Sequence, residues 1–331
     1  SVVPSRLVKM IPSAGGQVTA AHDGDYDMAR LKMRIHCGAI LLVFAAIFPA
    51  FPLAAEETVQ MTYQGLRLNA VLSETDNRDA PVFLLLHGTL AHNDMEIMRS
   101  LREVLHEEGI ASLAVTLSLG VDDRSGMYDC NAEHRHRHTD AIGELEAWRK
   151  WLVERGYPRQ VLLGHSRGGN QVAWYLTQQH PQSVVAAVLV APQLWQRDKA
   201  AAAYAARFGV PLQAQLDRAE QLQKSDGGDA LIRDTGFVYC EGATASAAAL
   251  LSYHAPDARM HTPSLIAAIE PPVLVIAASE DQSVPGVAAA MEEAGNASVV
   301  EIDGADHFFR DLYVYDMVEA IVEFLDANDL W

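Results

Sequence analysis

Short apolar runs of four to eight residues, separated by amphipathic segments, recur along most of this 331-residue chain. They are Val82–Leu86, Ile110–Leu117, Val161–Gly164, Val184–Val190, Val273–Ala277 and Ser298–Ile302, all rich in Val, Leu and Ile. A strand covered by helices on both faces has no solvated side, so such runs suit a mostly parallel sheet. The segments between them, Asp94–Glu108, Thr139–Arg155, Gly168–Gln179, Val284–Ala294 and Asp311–Leu325, carry apolar residues at helical spacing. Ahead of these, two alternating stretches, Thr58–Tyr63 and Leu66–Leu72, flank Gln64-Gly65 and read as a hairpin. The expected fold is α/β, an eight-stranded, mostly parallel sheet flanked by helices.

One region breaks the rhythm. From Gln193 to about Ile269 no buried-strand run occurs, and Ala200–Arg207 and Leu212–Lys224 have helical character. An insertion of this length between two sheet strands is expected to form a helical lid over residues 193–269. Ordinary packing helices without substrate contact are the alternative.

The strongest local signal is Val161-Leu162-Leu163-Gly164-His165-Ser166-Arg167-Gly168-Gly169, a buried strand running into G-x-S-x-G and then a helix. A sharp strand-to-helix turn lifts a serine oxygen above the sheet, and the helix N-terminus offers N–H groups to a developing oxyanion. A serine hydroxyl is a weak nucleophile until a positioned base takes its proton, and that base is in turn oriented by a carboxylate. Both occur downstream. Val273–Ala277 is followed by Ser279-Glu280-Asp281-Gln282-Ser283-Val284-Pro285, and the final run by Asp303-Gly304-Ala305-Asp306-His307-Phe308. Each lies just past the C-terminal end of an expected strand, where open α/β sheets line their ligand crevices.

These residues resemble the α/β-hydrolase superfamily over roughly residues 58–329. The order Ser166, Asp281, His307 is similar to the family's order of nucleophile, acid and base. Glu280 is the alternative acid, and Asp306 resembles a loop-structuring neighbour of the family's base. Leu84-Leu85-Leu86-His87-Gly88-Thr89 looks like the family's H-G-x loop, which implies an oxyanion hole made by the backbone N–H groups of Thr89 and Arg167. His87 is expected to fix that loop, and His165 to pack against the sheet.

The resemblance implies a serine hydrolase acting by acyl transfer to water on a small-molecule ester or amide, without a cofactor. A carboxylic ester is favoured. Peptidase or amidase activity of the proline-iminopeptidase kind, thioester cleavage, and a non-catalytic binding role on the same scaffold are the alternatives.

Thirteen histidines invite a metal reading, above all His134-Arg135-His136-Arg137-His138. The intervening arginines repel a cation, and no carboxylate or cysteine has ligand spacing to these histidines, so no metal is expected. The segment reads as a solvated loop at the crevice rim, with substrate-carboxylate or lid contacts as the alternative.

The formal charge of −18 and pI near 5.0 argue against nucleic acid as a partner, because binding phosphate backbones needs clustered Lys and Arg. Near the N-terminus, Arg30, Lys32 and Arg34 precede the apolar run Ala39–Phe48, and Pro49, Pro52 and Ala54-Ala55 follow. That order reads as a signal peptide over 33–55, after an unstructured upstream segment 1–32. The run is short for a membrane span, so the hydrolase domain, 56–331, is expected to be exported, periplasmic or secreted, without stable membrane insertion. Within it, Cys130 and Cys240 are the two cysteines and could form one disulfide.

Overall fold

The computed structural model describes residues 56–331; the expected upstream segment and signal peptide lie outside the described residues. Strands β1 (Glu56–Tyr63) and β2 (Leu66–Ser73) pair antiparallel across Gln64-Gly65. Both turn residues have positive φ, 49° and 83°, the requirement of a two-residue hairpin whose twist matches its strands. After β3 (Val82–Leu86), α1 (Glu96–Glu107) and β4 (Ser112–Thr116), a long loop contains the two-residue β5 (Glu133–His134). Then follow α2 (Asp140–Glu154), β6 (Gln160–His165), α3 (Arg167–Gln179) and β7 (Val184–Val190).

Residues 193–269 hold α4 (Arg197–Phe208), α5 (Leu212–Ser225), β8 (Leu231–Phe237), β9 (Cys240–Ser246), α6 (Ala247–His254), a 3-10 turn at Ala258–Met260 and α7 (Pro263–Ile266). The chain returns to the main sheet with β10 (Val273–Ala278), α8 (Val287–Ala294), β11 (Ser298–Ile302) and α9 (Tyr313–Ala327).

The main sheet has the order β1-β2-β4-β3-β6-β7-β10-β11, antiparallel at the first two pairings and parallel across the rest. The reason for the apolar runs is visible in β3. Val82, Leu84 and Leu86 enter the core that also holds Leu145, Trp148 and Val172 of α2 and α3, while Phe83 and Leu85 enter the one holding Leu101 of α1 and Met317 of α9. A strand between two such layers needs an apolar residue at every position. All six runs are strands, with ends shifted by at most two residues.

The insertion is not wholly helical, which corrects the expectation for 193–269. Strands β8 and β9 form a hairpin, and with β5 they make a second sheet of order β5-β9-β8. Exposed Arg233 and Asp234 interrupt β8 at a bulge, where Asp234 has φ 53°, and exposed Glu241 and Gly242 interrupt β9. These interruptions leave no continuous apolar run for the sequence to display.

Cys130, ahead of β5, is bridged to Cys240 at the start of β9, with Cα atoms 5.3 Å apart. The bridge closes a loop of 110 residues, which in the chain-entropy account removes about 4 to 5 kcal/mol of conformational freedom from the unfolded chain.

Candidate active site

Strand β6 ends at His165, α3 begins at Arg167, and Ser166 forms the turn between them with φ 57°. That conformation is unfavourable for a side chain with a Cβ, and it is held by surrounding backbone bonds. Ser166 N–H donates to Val190 O (2.8 Å), while Ser166 O accepts from the N–H groups of Gly169 (3.0 Å) and Gln193 (3.1 Å). Glycine is obligatory beside it. A Cβ at Gly164 would overlap the Gly168 backbone, and one at Gly168 would overlap the carbonyls of Leu86 and His87.

His307, in the loop between β11 and α9, places Nε2 3.0 Å from Ser166 Oγ. Its Nδ1 lies 2.7 Å from Asp281 Oδ2, in the loop after β10. A carboxylate accepts, so Nδ1 carries the proton and Nε2 is free to accept from the serine hydroxyl. The other carboxylate oxygen of Asp281 accepts from the N–H groups of Ser283 (2.7 Å) and Val284 (2.8 Å). Burial alone would push the Asp281 pKa up, but the bond to His307 and the two amides outweigh it, and the pKa lies below the ordinary value. Glu280 is exposed and does not reach His307. Asp306 accepts from Phe308 N–H (3.0 Å) and pairs with Arg310, within its own loop.

On the facing side, His87 Nε2 accepts from Leu117 N–H (3.0 Å), so Nδ1–H donates to Gly88 O (2.8 Å) and ties the His87-Gly88-Thr89 loop to the end of β4. The backbone N–H groups of Thr89 and Arg167 have no acceptor among the described residues. His165 is buried and donates from Nε2 to His307 O (2.9 Å), bracing the histidine loop from below.

A cavity of about 400 Å³ opens over Ser166, with Thr89 and Gln193 at the serine. Its apolar wall is Met95, Met127, Leu194, Tyr239, Val284 and Phe308, and among the described residues no carboxylate lines it. Sequence reasoning missed Met127 and Tyr239. Their only signal is proximity to Cys130 and Cys240, whose bridge holds the two segments together. A second cavity, of about 380 Å³, lies beside α2, α3 and α6. Its Ser252 hydroxyl accepts from the His138 backbone N–H.

His134, His136 and His138 are all buried, which overturns the expectation of a solvated loop. β5 pairs with β9 at Glu133–His134, and continuing alternation turns the three rings inward while Arg135 and Arg137 face solvent. His136 Nδ1 lies 2.9 Å from the Tyr253 hydroxyl, and His138 Nε2 lies 3.0 Å from Asn170 Oδ1. Among the described residues no three His, Cys, Asp or Glu side chains gather as metal ligands.

Burial holds His87, His136, His138 and His165 neutral, each with its pKa pushed down from 6.5 to about 3. The unfolded chain takes up these protons below pH 6.5 and the folded chain does not. Their stabilisation is therefore complete above pH 6.5 and falls as pH drops from 6.5 toward 3, by about 1.4 kcal/mol per pH unit for each histidine. Thermal melts at pH 7.5, 6 and 5 are expected to show steeply falling Tm. A flat profile across that window would mean the rings are hydrated.

The family model described as "Alpha/beta hydrolase family" matches residues 83–324. A comparison of the sequence with curated proteins finds no match. Among solved structures the chain is similar to Est1E from Butyrivibrio proteoclasticus, with TM-score 0.56 and 18% identity over 83% of this chain and 99% of that one. It is similar to a Paleococcus ferrophilus monoacylglycerol lipase, with TM-score 0.55 and 19% identity over 79% of this chain and 99% of the lipase. The Pyrococcus furiosus esterase Pf2001 gives TM-score 0.53 and 16% identity over 83% and 91%. At these identities the structural likenesses speak for the fold alone.

Proposed function

On the premise that this chain belongs to the α/β-hydrolase family and is a hydrolase, we propose that it cleaves a carboxylic ester through a covalent acyl-enzyme on Ser166. The observation that carries the reading is the unbroken chain from Ser166 Oγ to His307 Nε2 and from His307 Nδ1 to Asp281 Oδ2, at 3.0 and 2.7 Å. Ser166 Oγ attacks the carbonyl carbon as its proton passes to His307 Nε2. The charge on the carbonyl oxygen falls to the amides of Thr89 and Arg167, each such donor stabilising the transition state by about 3 to 4 kcal/mol. Collapse breaks the ester C–O bond, and His307 returns the proton to the departing alcohol. Water then enters, His307 takes its proton, and the acid is released with Ser166 restored.

An ester is favoured over an amine-bearing peptide because among the described residues no carboxylate lines the cavity to hold an ammonium group. The apolar wall and volume of about 400 Å³ suit a medium-length or aromatic acyl group. The fold neighbour Est1E is known with ferulic acid bound, which is consistent with an acyl group of that size. Tyr239 reaches the cavity from the 193–269 insertion, which supports reading that segment as a lid. The Cys130–Cys240 bridge fits an oxidising compartment and, with the expected signal peptide 33–55, an exported enzyme acting from residue 56 onward.

The test is turnover of p-nitrophenyl acetate, butyrate and octanoate and of methyl ferulate, beside an aminoacyl p-nitroanilide. A fluorophosphonate adduct is mapped in parallel. The expected result is ester cleavage, an adduct on Ser166, and anilide turnover slower by about 100-fold or more. Anilide cleavage at comparable rates would move the reading to a peptidase. Folded protein with neither turnover nor adduct would leave a binding role.

A further inference from the structure

Arg167 enters the mechanism above only through its backbone N–H, yet its side chain is largely enclosed beside the nucleophile. Among the described residues no carboxylate pairs with it. An enclosed cation without a counter-ion is unfavourable unless its donors are used. Here they are. Nε donates to Thr89 Oγ1 (3.0 Å), Nη1 donates to His138 Nδ1 (3.2 Å), and the guanidinium lies over the Tyr253 ring, 5.0 Å from its centroid.

The contacts continue as a relay with a fixed sense. Arginine can only donate, so His138 accepts at Nδ1 and carries its proton on Nε2, which donates to Asn170 Oδ1 (3.0 Å). Asn170 Nδ2 donates to Thr262 Oγ1 (3.2 Å), and Thr262 Oγ1 donates to Gln193 O (2.6 Å). Gln193 N–H closes on Ser166 O (3.1 Å). The relay thus leaves the pocket at Thr89, passes through the rim loop, α3 and α7, and returns at Gln193 on the other side of the serine. The two residues assigned to the oxyanion hole have side chains bonded to each other.

We propose that the Arg167 guanidinium is a positioning residue that clamps Thr89 to the serine turn, so that the Thr89 and Arg167 amides converge on one oxyanion. The proposal rests on the ester-hydrolase reading of Ser166. A clamp of this kind acts on the transition state, where charge reaches the carbonyl oxygen, and leaves ground-state binding in the apolar wall nearly untouched. Lysine cannot replace it, because one ammonium lacks the planar fork that spans Thr89 and His138.

The test is kinetic, on the full protein with the best ester found. Thr89→Val removes the acceptor at constant shape, Thr89→Ser restores it, and Arg167→Met removes the donor while keeping the backbone N–H. Arg167→Met is expected to lower kcat by about 100-fold and Thr89→Val by about 10-fold, with KM within roughly 3-fold. Thr89→Ser should recover most of the loss, and the double variant Arg167→Met/Thr89→Val should be little worse than Arg167→Met alone. Should Arg167→Met fail to fold, the Thr89→Val and Thr89→Ser pair decides. Additive losses, a change confined to KM, or unchanged kcat in an active protein would overturn the clamp and leave the hydrolase reading intact. A wild-type protein that neither turns over esters nor takes up fluorophosphonate would overturn both.

Discussion

Ser166→Ala is expected to fold and melt like the parent protein while kcat for its ester falls by about six orders of magnitude. The size of the loss follows from the nucleophile's role. Without Oγ no acyl-enzyme forms, and what remains is the modest catalysis of an oxyanion hole acting on bound substrate and water. The small structural effect follows from the turn. Alanine has the same Cβ as serine, so the φ of 57° at Ser166 costs both residues alike, and the backbone bonds to Val190, Gly169 and Gln193 persist. Circular dichroism melts beside steady-state kinetics check both halves, and the fluorophosphonate adduct should vanish with the hydroxyl. Substantial turnover in a folded Ser166→Ala protein would place the nucleophile elsewhere.

Asp281→Asn is expected to lower kcat by about four orders of magnitude, with Glu280→Gln close to wild type. Asparagine keeps the size of aspartate. Its carbonyl oxygen can still accept from the Ser283 and Val284 N–H groups, which as donors cannot bond to the NH2 group. The position facing His307 then becomes an NH2 group, so Nδ1 must accept and the ring proton moves to Nε2. That nitrogen can no longer take a proton from Ser166, and the 3.0 Å contact loses its chemical sense. Steady-state kinetics of the two variants decide. Equal losses, or a larger loss at Glu280, would reassign the acid.

The main sheet and the candidate site were legible for a common reason. Strands buried on both faces must be apolar throughout, so Val82–Leu86 or Val273–Ala278 declare themselves by composition. The serine turn is equally local, because close backbone approach at Gly164 and Gly168 excludes every other residue. Loops at the C-terminal ends of parallel strands share one edge of the sheet, so the motifs at Asp281 and His307 could be placed near Ser166 without coordinates. Sequence favoured Asp281 over Glu280 only through the family resemblance, and the structure brings Asp281 to His307. Neighbouring carboxylates differ in which way the loop turns them, and that depends on the Ser283 and Val284 amides.

The histidine segment was misread for the opposite reason. Alternating His and Arg over 134–138 looks solvated in isolation; the pairing of β5 with β9, residues 133–134 against 244–245, sets its orientation, and Phe237, Tyr253 and Trp174 cover the histidine rings. The hairpin β8–β9 escaped notice because exposed Arg233, Asp234, Glu241 and Gly242 interrupt both strands and leave no apolar run. The sequence alone therefore determined the layered α/β core, the serine turn and the chain order of the candidate residues Ser166, Asp281 and His307, since each is encoded by local sterics or by a strand's own burial. Tertiary structure alone decided the pocket wall of Met127 and Tyr239, the inward histidines and the partners of the Arg167 side chain, because these depend on contacts between segments tens to more than one hundred residues apart, whose meeting no local pattern records.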